Sequence, residues 1–264
     1  MKLAYILIIF NLLSSYFSWG QNKLVLQDLN HISCMNVDAS GNFWVSDDAF
    51  TLYKFDSKGK LITNVNIKTY GTITSIDCAN PFEIYVFHQD QNIIVFYDNM
   101  LNMRGEIRLN DYLFNNVSCV ARSYDNHIWM MDLSEYKLLK INKSGKILVE
   151  SIYLNTVSSH AIHPSKIWEE QNHVYVLDTS VGIYAFDIFS TYQTTFPIAH
   201  SYSATSIQDY FYINQQGKLI SYHQTLRNPV PMHITLTSDA SLIRHNNTLY
   251  YHQKNEIIPI HLAP

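Results

Sequence analysis

The sequence predicts an all-β fold, a six-bladed β-propeller built from four-stranded blades. Three observations lead to this fold class: an aromatic-centred hairpin pattern occurs six times, its period is about 40 residues, and the two ends of the chain complement each other. A period of this length with four strands per repeat is typical of propellers, in which each blade buries its faces against its neighbours.

The clearest copy of the hairpin pattern is G-N-F-W-V-S-D-D-A-F-T-L-Y-K-F-D, at residues 41–56. Its first strand is centred on Trp44 and ends at the acidic turn Asp47-Asp48, and its second strand alternates in hydrophobicity from Leu52 to Phe55. Five weaker copies follow before the C-terminus. Aligned on their central aromatic residue, the six copies are centred on Trp44, Tyr85, Trp129, Tyr175, Tyr212 and Tyr250.

Each hairpin is preceded by a short segment that opens with serine and is followed by a further extended segment, which makes four strands per unit. The serines are Ser33, Ser75, Ser118, Ser165, Ser206 and Ser241. The sixth unit stops at its third strand, Ile257 to Leu262, whereas Lys23 to Leu29 form a spare strand before the first unit. We therefore expect Leu24-Val25-Leu26 to pair with the last blade and close the ring, which removes the open sheet edges.

The composition suits one large folded β domain. The chain has 264 residues, of which 47% are hydrophobic, 14% aromatic and 15% charged, and this balance excludes disorder and provides a sizeable core. The net charge of −4 is not accompanied by a long basic or acidic run. The sequence therefore carries no electrostatic signature of a nucleic-acid-binding protein.

The N-terminus has the pattern of a secretory signal. Met1-Lys2 precedes an apolar run, Leu3 to Leu13, and then the small-x-small triplet Ser18-Trp19-Gly20, which predicts a signal peptide over residues 1–20 and a mature propeller over residues 21–264. An N-terminal membrane anchor is the alternative, but the run is shorter than the roughly 20 residues that span a bilayer. No later segment reaches that length. We expect an exported protein, periplasmic, cell-surface or extracellular, without a membrane span in the mature chain.

The hairpin G-N-F-W-V-S-D-D-A-F-T-L-Y-K-F-D resembles the NHL repeat, and I-W-M-M-D-L-S-E-Y-K-L-L-K-I-N and V-Y-V-L-D-T-S-V-G-I-Y-A-F-D resemble diverged copies of it. The likeness extends over all six units. The first, third and fourth units keep an acidic residue after the first hairpin strand, and the others carry His or Gln; these residues are Asp47, Asp132 and Asp178, and His88, Gln215 and Gln253. The resemblance implies an NHL-like six-bladed propeller. It does not identify a partner, since propellers serve both as binding modules and as enzymes.

Two repeated groups of polar residues are better explained by structure than by chemistry. Asp47, Asp132 and Asp178 occupy equivalent hairpin turns, where an aspartate side chain accepts hydrogen bonds from its own backbone. The six serines share one repeat position, and none lies in a strained nucleophile motif such as G-x-S-x-G. We expect their hydroxyls to satisfy backbone groups around the central channel.

The three cysteines fall on predicted inner strands, at Cys34, Cys78 and Cys119. No metal-type spacing such as C-x-x-C is present. In an exported protein a disulfide between neighbouring blades is the alternative, but we expect three buried thiols that act as small hydrophobic side chains.

One constellation motivates a metal-site hypothesis. The residues two before the repeat serines include four potential ligands, His31, Asn116, His163 and Asp239, which the phasing places near one mouth of the channel. The gluconolactonase-like family of metal-dependent propellers is similar in having Glu, Asn and Asp at a comparable mouth, and this likeness implies a lactonase or hydrolase with a divalent metal. The present set has two His and no Glu. A slip of one residue at these positions would also turn a side chain to the other face.

The leading function hypothesis is an exported, non-catalytic propeller that binds a protein, peptide or glycan on one face. Tyr112, Phe114, Tyr153, Tyr202 and Tyr210 lie in or beside connections between blades, where recognition surfaces are usually found. No residue is assigned a catalytic role, and no cofactor is predicted beyond the divalent metal that the lactonase-like alternative would need. A module of a larger envelope complex, without a ligand of its own, is the third possibility.

Overall fold

The computed structural model describes residues 23–27, 29 and 31–262, which form six four-stranded antiparallel sheets arranged in a ring. This architecture confirms the predicted six-bladed β-propeller. The proposed signal peptide, residues 1–20, lies outside the described residues. In the described part of the chain, no helix is both long enough and apolar enough to cross a membrane.

The strands follow one another through the blades, innermost strand first. A short strand, β1 (Leu24–Val25), precedes the first blade. The first blade contains β2 (Ile32–Val37), β3 (Phe43–Asp47), β4 (Thr51–Phe55) and β5 (Leu61–Asn66). The second contains β6 (Ile73–Asp77), β7 (Ile84–His88), β8 (Ile93–Tyr97) and β9 (Met103–Arg108). The third contains β10 (Val117–Arg122), β11 (Ile128–Asp132), β12 (Lys137–Ile141) and β13 (Ile147–Glu150).

The second half of the ring repeats this order. The fourth blade contains β14 (Pro164–Glu170), β15 (His173–Asp178), β16 (Gly182–Asp187) and β17 (Tyr192–Phe196). The fifth contains β18 (Ser201–Ile207), β19 (Tyr210–Gln215), β20 (Lys218–His223) and β21 (Asn228–Thr235). The sixth contains β22 (Leu242–His245), β23 (Thr248–Gln253) and β24 (Glu256–His261). Among the described residues, three short 3-10 helices lie between blades, at Lys68–Tyr70, Leu109–Tyr112 and Leu154–Thr156.

The N-terminal strand closes the ring, as the sequence predicts. Strand β1 pairs with β24 in antiparallel register, with Leu24 opposite Ile257 and Val25 opposite Glu256. The backbone N–H of Leu26 donates to the carbonyl oxygen of Asn255 at 3.0 Å, and the Asn255 side chain donates back to the Leu26 carbonyl oxygen at 3.1 Å. The sixth blade therefore takes its outermost strand from the other end of the chain.

In the part of the chain that the structure describes, the core consists of six hydrophobic clusters, and each cluster lies between two adjacent blades. The middle strands β3, β4, β7, β8, β11 and β12 are buried along their whole length, because both faces of a blade are covered. Trp44 packs against the second blade and Trp129 against the fourth, and both side chains are fully buried. The central aromatic residues of the first and third repeats therefore lie at junctions between blades.

The antiparallel order of the strands gives the ring two distinct faces. We call the face on which the inner strands begin the upper face; it also carries the connections between blades and the turns between the second and third strands of each blade. The lower face carries the turns between the first and second strands and between the third and fourth. Function in propellers concentrates on such loop-bearing faces and on the channel between them.

Candidate functional site

The inner strands surround a central channel with a cavity volume of about 680 Å³. Its wall includes the side chains of Cys34, Ser75, Cys119, Lys166 and Ser203, one from each of five neighbouring blades. The channel is therefore open, and its wall combines these groups with apolar residues such as Ile73, Val120 and Leu242. A cavity of this size is in the range that holds a small ligand.

Side chains on the inner strands satisfy the backbone of the next blade. The Asn36 amide donates to the carbonyl oxygen of Ile76 at 2.7 Å, and the Ser75 hydroxyl donates to the carbonyl oxygen of Val120 at 3.3 Å. These carbonyl groups lie on the strand edge that faces the channel and has no neighbouring strand. Polar side chains on the inner strands therefore donate hydrogen bonds to backbone carbonyl groups that have no neighbouring strand.

The inner strands of five blades contain a β-bulge close to the upper face. The residue inserted at the bulge is Ser33, Thr74, Ser118, Ser165 or Tyr202. The sequence alignment on serine is therefore wrong in two blades. Ser75 lies one residue beyond the bulge, and Ser206 lies near the end of β18, where its hydroxyl hydrogen-bonds Trp168 and Glu170.

The corrected register changes the set of residues two before the bulge. In the second and fifth blades these positions hold Thr72 and His200, in place of the Ile73 and Ala204 that serine phasing selects. Both lie on the upper face, His200 in the connection between the fourth and fifth blades. His200 is thus a candidate ligand-binding residue that the sequence analysis missed.

The structure brings two of the four predicted mouth residues together. The His31 ring meets the His252 ring in an edge-on contact with centroids 6.3 Å apart, and His31 Nδ1 lies 3.5 Å from a carboxylate oxygen of Asp48. Asp239 belongs to the same cluster, since its charge interacts with both His31 and His252. A hydrogen bond from Thr237 is the main reason that the pKa of Asp239 is lowered.

The other two predicted residues, Asn116 and His163, form backbone hydrogen bonds with the hairpin turns of the third and fourth blades. The carbonyl oxygen of Asn116 accepts from Leu133 N–H at 2.8 Å, and the backbone N–H of His163 donates to Asp178 Oδ2 at 2.5 Å. Over residues 23–27, 29 and 31–262, no three His, Cys, Asp or Glu side chains form a group that could hold a metal ion. The role of His31, Asn116, His163 and Asp239 as ligands stays a prediction, and the geometry of the described residues gives the metal hypothesis no support.

His252 is the unusual member of the cluster at the junction of the first and sixth blades. It is 3% exposed, and neither ring nitrogen has a hydrogen-bond partner among the described residues. Burial lowers the pKa of His252 to about 4, against an opposing effect of the nearby Asp239 carboxylate. His252 is therefore uncharged at neutral pH. It places two ring nitrogens without hydrogen-bond partners among the described residues at the junction where the ring closes.

A second cavity opens on the upper face between the fourth and fifth blades, with a volume of about 710 Å³. We call it the upper-face cavity, and its wall is formed by His160, Thr179, Ser180, Ala199, His200, Ser201, Tyr202, Gln216 and Ser238. Thr179 and Tyr202 also line the channel, so the two cavities adjoin. Tyr202, the bulge residue of the fifth blade, is 49% exposed at their boundary.

The hairpin aspartates have the structural role predicted for them. Asp47 Oδ1 accepts from the backbone N–H groups of Ala49 and Thr51, both at 3.0 Å, and Asp178 Oδ1 accepts from Ser180 N–H at 2.8 Å. Asp132 accepts from Ser134 N–H at 2.8 Å in the same way. These carboxylates shape the turns of the upper face.

The cysteines and the exposed aromatic residues partly follow the predictions. Cys34, Cys78 and Cys119 are all free thiols; Cys78 and Cys119 are buried, whereas Cys34 is partly exposed to the channel. Burial raises the pKa of Cys34 and of Cys119 to about 12. Phe114 is not part of an exposed surface, because it packs between the second and third blades, but Tyr112, Tyr153, Tyr202 and Tyr210 are exposed.

Comparison with solved structures finds the same fold in functionally diverse proteins. Virginiamycin B lyase from Staphylococcus aureus has 14% identity and a TM-score of 0.64, over 88% of this chain and 80% of that one. The β-propeller domain of Myceliophteria thermophila Cps50 (Swd1) has 9% identity and a TM-score of 0.65, over 89% of this chain and 97% of that domain. The Neurospora crassa Pan2 WD40 domain has 11% identity and a TM-score of 0.61, over 84% and 72%.

At these identities the comparison shows the propeller fold alone. No protein-family model matches the chain, and no curated protein matches it.

Proposed function

We propose that the chain is an exported, non-catalytic β-propeller that binds a protein, peptide or glycan on its upper face, with the upper-face cavity as the ligand site. The observation that carries this proposal is the cavity itself. At about 710 Å³ it is the size of a ligand pocket, and it lies on the face that carries the connections between blades. Its boundary with the channel gives a bound partner room to extend toward the axis.

The chemistry of the cavity favours a glycan among these partners. Described residues that line it supply hydroxyl, amide and imidazole groups, and none of them is Asp, Glu, Lys or Arg. Such groups can donate and accept hydrogen bonds without carrying a fixed charge, which suits sugar hydroxyls. The exposed ring of Tyr202 adds an apolar face with a polar tip, on which a sugar ring can pack.

The export part of the proposal depends on the sequence. Residues 1–20 have the charged start, apolar run and small-residue site of a signal peptide. The likeness of the hairpins to NHL repeats is consistent with a binding module. Expression with and without residues 1–20, followed by fractionation, tests the export: retention of both forms in the cytoplasm would contradict it.

The ligand site is tested by binding to immobilised oligosaccharides and, in parallel, to a library of peptides. We expect oligosaccharide binding that Tyr202→Ala weakens by about tenfold or more, since stacking on an aromatic ring is lost. Tyr210→Ala is the matched control, because Tyr210 is also an exposed tyrosine of the fifth blade but lies beside the lower face. Equal loss in the two variants would contradict the upper-face site, and binding of peptides alone would replace the glycan with a peptide.

A further inference from the structure

Lys166 carries a positive charge into the wall of the channel. It follows the bulge in β14, and its ammonium group reaches across two blades: Nζ donates to the carbonyl oxygen of Ala204 at 2.8 Å and to that of Leu242 at 3.2 Å. The side chain lies deep inside the ring but faces the cavity, so solvent in the channel still reaches it. Its place is therefore fixed by the backbone of two inner strands.

The acidic groups near the channel are engaged elsewhere. Asp77 lies 3.6 Å from Arg122 Nε, and Glu170 lies 2.5 Å from a terminal nitrogen of Arg244. Glu169 accepts hydrogen bonds from Ser123 and Trp129 on the neighbouring blade. Among the described residues Lys166 therefore has no carboxylate partner, although a buried charge is normally paired.

None of the groups that shift the pKa of Lys166 is a carboxylate. Burial is the main reason that its pKa falls to about 8; the nearby Cys34 thiol opposes the fall, and the positive charge of Arg244 adds to it. The other inner-strand groups on the neighbouring fifth blade, Ser203 and Thr205, are uncharged. An ammonium group has three donors, and two of them are used on carbonyl oxygens, so one donor is left for an occupant of the channel.

We propose that the channel beside Lys166 is a binding site for a small organic carboxylate, whose negative charge pairs with the Lys166 ammonium group. The cavity of about 680 Å³ has room for such a molecule. A carboxylate accepts a charge-assisted hydrogen bond from the free ammonium donor, and it supplies the counter-charge that the protein lacks at this point. This site differs from the upper-face cavity and does not depend on a glycan being bound there.

Two consequences separate this site from a lysine that only supports the backbone. Binding should weaken as the pH rises above about 8, because the neutral amine no longer attracts an anion. Binding should also raise the pKa of Lys166, so that the protein takes up protons when the anion binds near pH 8. A lysine that merely fills the channel would show neither effect.

The experiment is calorimetric titration of the mature protein with acetate, succinate and inorganic phosphate at pH 7.0 and pH 9.5. We expect a carboxylate to bind at pH 7.0 and to lose about thirtyfold in affinity at pH 9.5, because the charged fraction of Lys166 falls by that factor, and we expect Lys166→Met to abolish the binding. Lys146→Met is the control, because Lys146 is exposed in a turn of the third blade. No carboxylate binding by the wild type, or equal binding by Lys166→Met, would overturn the proposal; binding of phosphate alone would overturn the carboxylate assignment.

A second measurement uses the wild-type protein, in case Lys166→Met does not fold. Lysine residues labelled with ¹³C at Cε are titrated by NMR with and without a saturating carboxylate. We expect one lysine signal to titrate near pH 8 in the free protein and at a higher pH in the complex. An unchanged titration of this signal would overturn the proposal even if an anion binds elsewhere.

Discussion

The indole N–H of Trp129 in the third blade donates a hydrogen bond of 2.5 Å to Glu169 Oε2 on the inner strand of the fourth blade. The same carboxylate accepts from the Ser123 hydroxyl at 2.8 Å and from Tyr124 N–H at 3.2 Å. Three donors from one blade therefore hold a single carboxylate of the next. This arrangement combines an apolar contact with a charge-assisted one and fixes how the two blades meet.

Replacement of Trp129 tests this contact directly. Trp129→Ala should lower the free energy of unfolding by about 3–5 kcal/mol, because it empties a large, fully buried aromatic site. Trp129→Phe keeps most of the volume but removes the indole donor, so we expect a loss of about 1–3 kcal/mol. Urea unfolding measures both values. Phe82→Ala is the control, since Phe82 is 85% exposed. A loss below about 1 kcal/mol for Trp129→Ala would show that Trp129 is not buried between the third and fourth blades.

The blade count and the ring closure could be predicted because they depend on patterns that local physics preserves. A buried aromatic residue such as Trp44 or Trp129 must recur wherever one blade packs against the next. The hairpin acid recurs in three blades, as Asp47, Asp132 and Asp178, where its side chain accepts hydrogen bonds from the turn. The spare strand at Leu24 could be matched to the sixth blade by elimination, because each blade needs four strands.

The candidate site residues were harder to predict, because the bulge at the start of an inner strand does not require a serine. The fifth blade has serines at 201, 203 and 206, and Tyr202 occupies the bulge itself. The spacing to the hairpin does not locate His200 either, because Ile32 pairs with Asp47 15 residues later whereas its counterpart Ser201 pairs with Gln215 14 residues later. Lys166 gave no sequence signal, since its meaning depends on which acids lie near it in space.

Closure by the N-terminal strand predicts that two neighbouring residues, Leu26 and Val25, differ in what their replacement by alanine costs in stability. Leu26→Ala should lower the melting temperature by several degrees, corresponding to about 2–5 kcal/mol, because Leu26 is fully buried between the first and sixth blades. Val25→Ala is the matched control, because Val25 is 51% exposed. Deletion of residues 23–30 should destabilise the whole domain, since β24 would lose its partner strand. A deletion variant that melts within a degree or two of the mature chain would show that the ring does not need this strand.

The metal content of the purified protein tests the metal-site hypothesis. We expect purified mature protein to contain clearly less than one divalent metal ion per chain. The reason is that His31 and Asp239 lie together whereas Asn116 and His163 are attached to other turns. Elemental analysis of the wild type and of the His31→Ala, His163→Ala double variant measures this. One metal ion per wild-type chain that the double variant loses would restore the lactonase-like alternative.

The buried imidazole of His252 predicts that the fold weakens in mild acid. Its pKa is about 4 in the folded chain and near its usual 6.5 when unfolded, so between these values the unfolded state binds more protons. The free energy of unfolding should therefore fall as the pH is lowered from about 6.5 to about 4, by up to about 3 kcal/mol, and this contribution should level off below pH 4. Burial also lowers the pKa of His88, which acts in the same direction.

Comparison of variants isolates the part of this pH dependence that belongs to His252. His252→Phe removes two ring nitrogens that lack hydrogen-bond partners among the described residues, so the variant should be at least as stable at pH 7 and lose less stability at pH 5. His233→Ala is the control and should keep the wild-type slope, because His233 is exposed on the outermost strand of the fifth blade. Urea unfolding at several pH values gives the slopes. Equal slopes for His252→Phe and the wild type would show that this imidazole is not the group that destabilises the fold in mild acid.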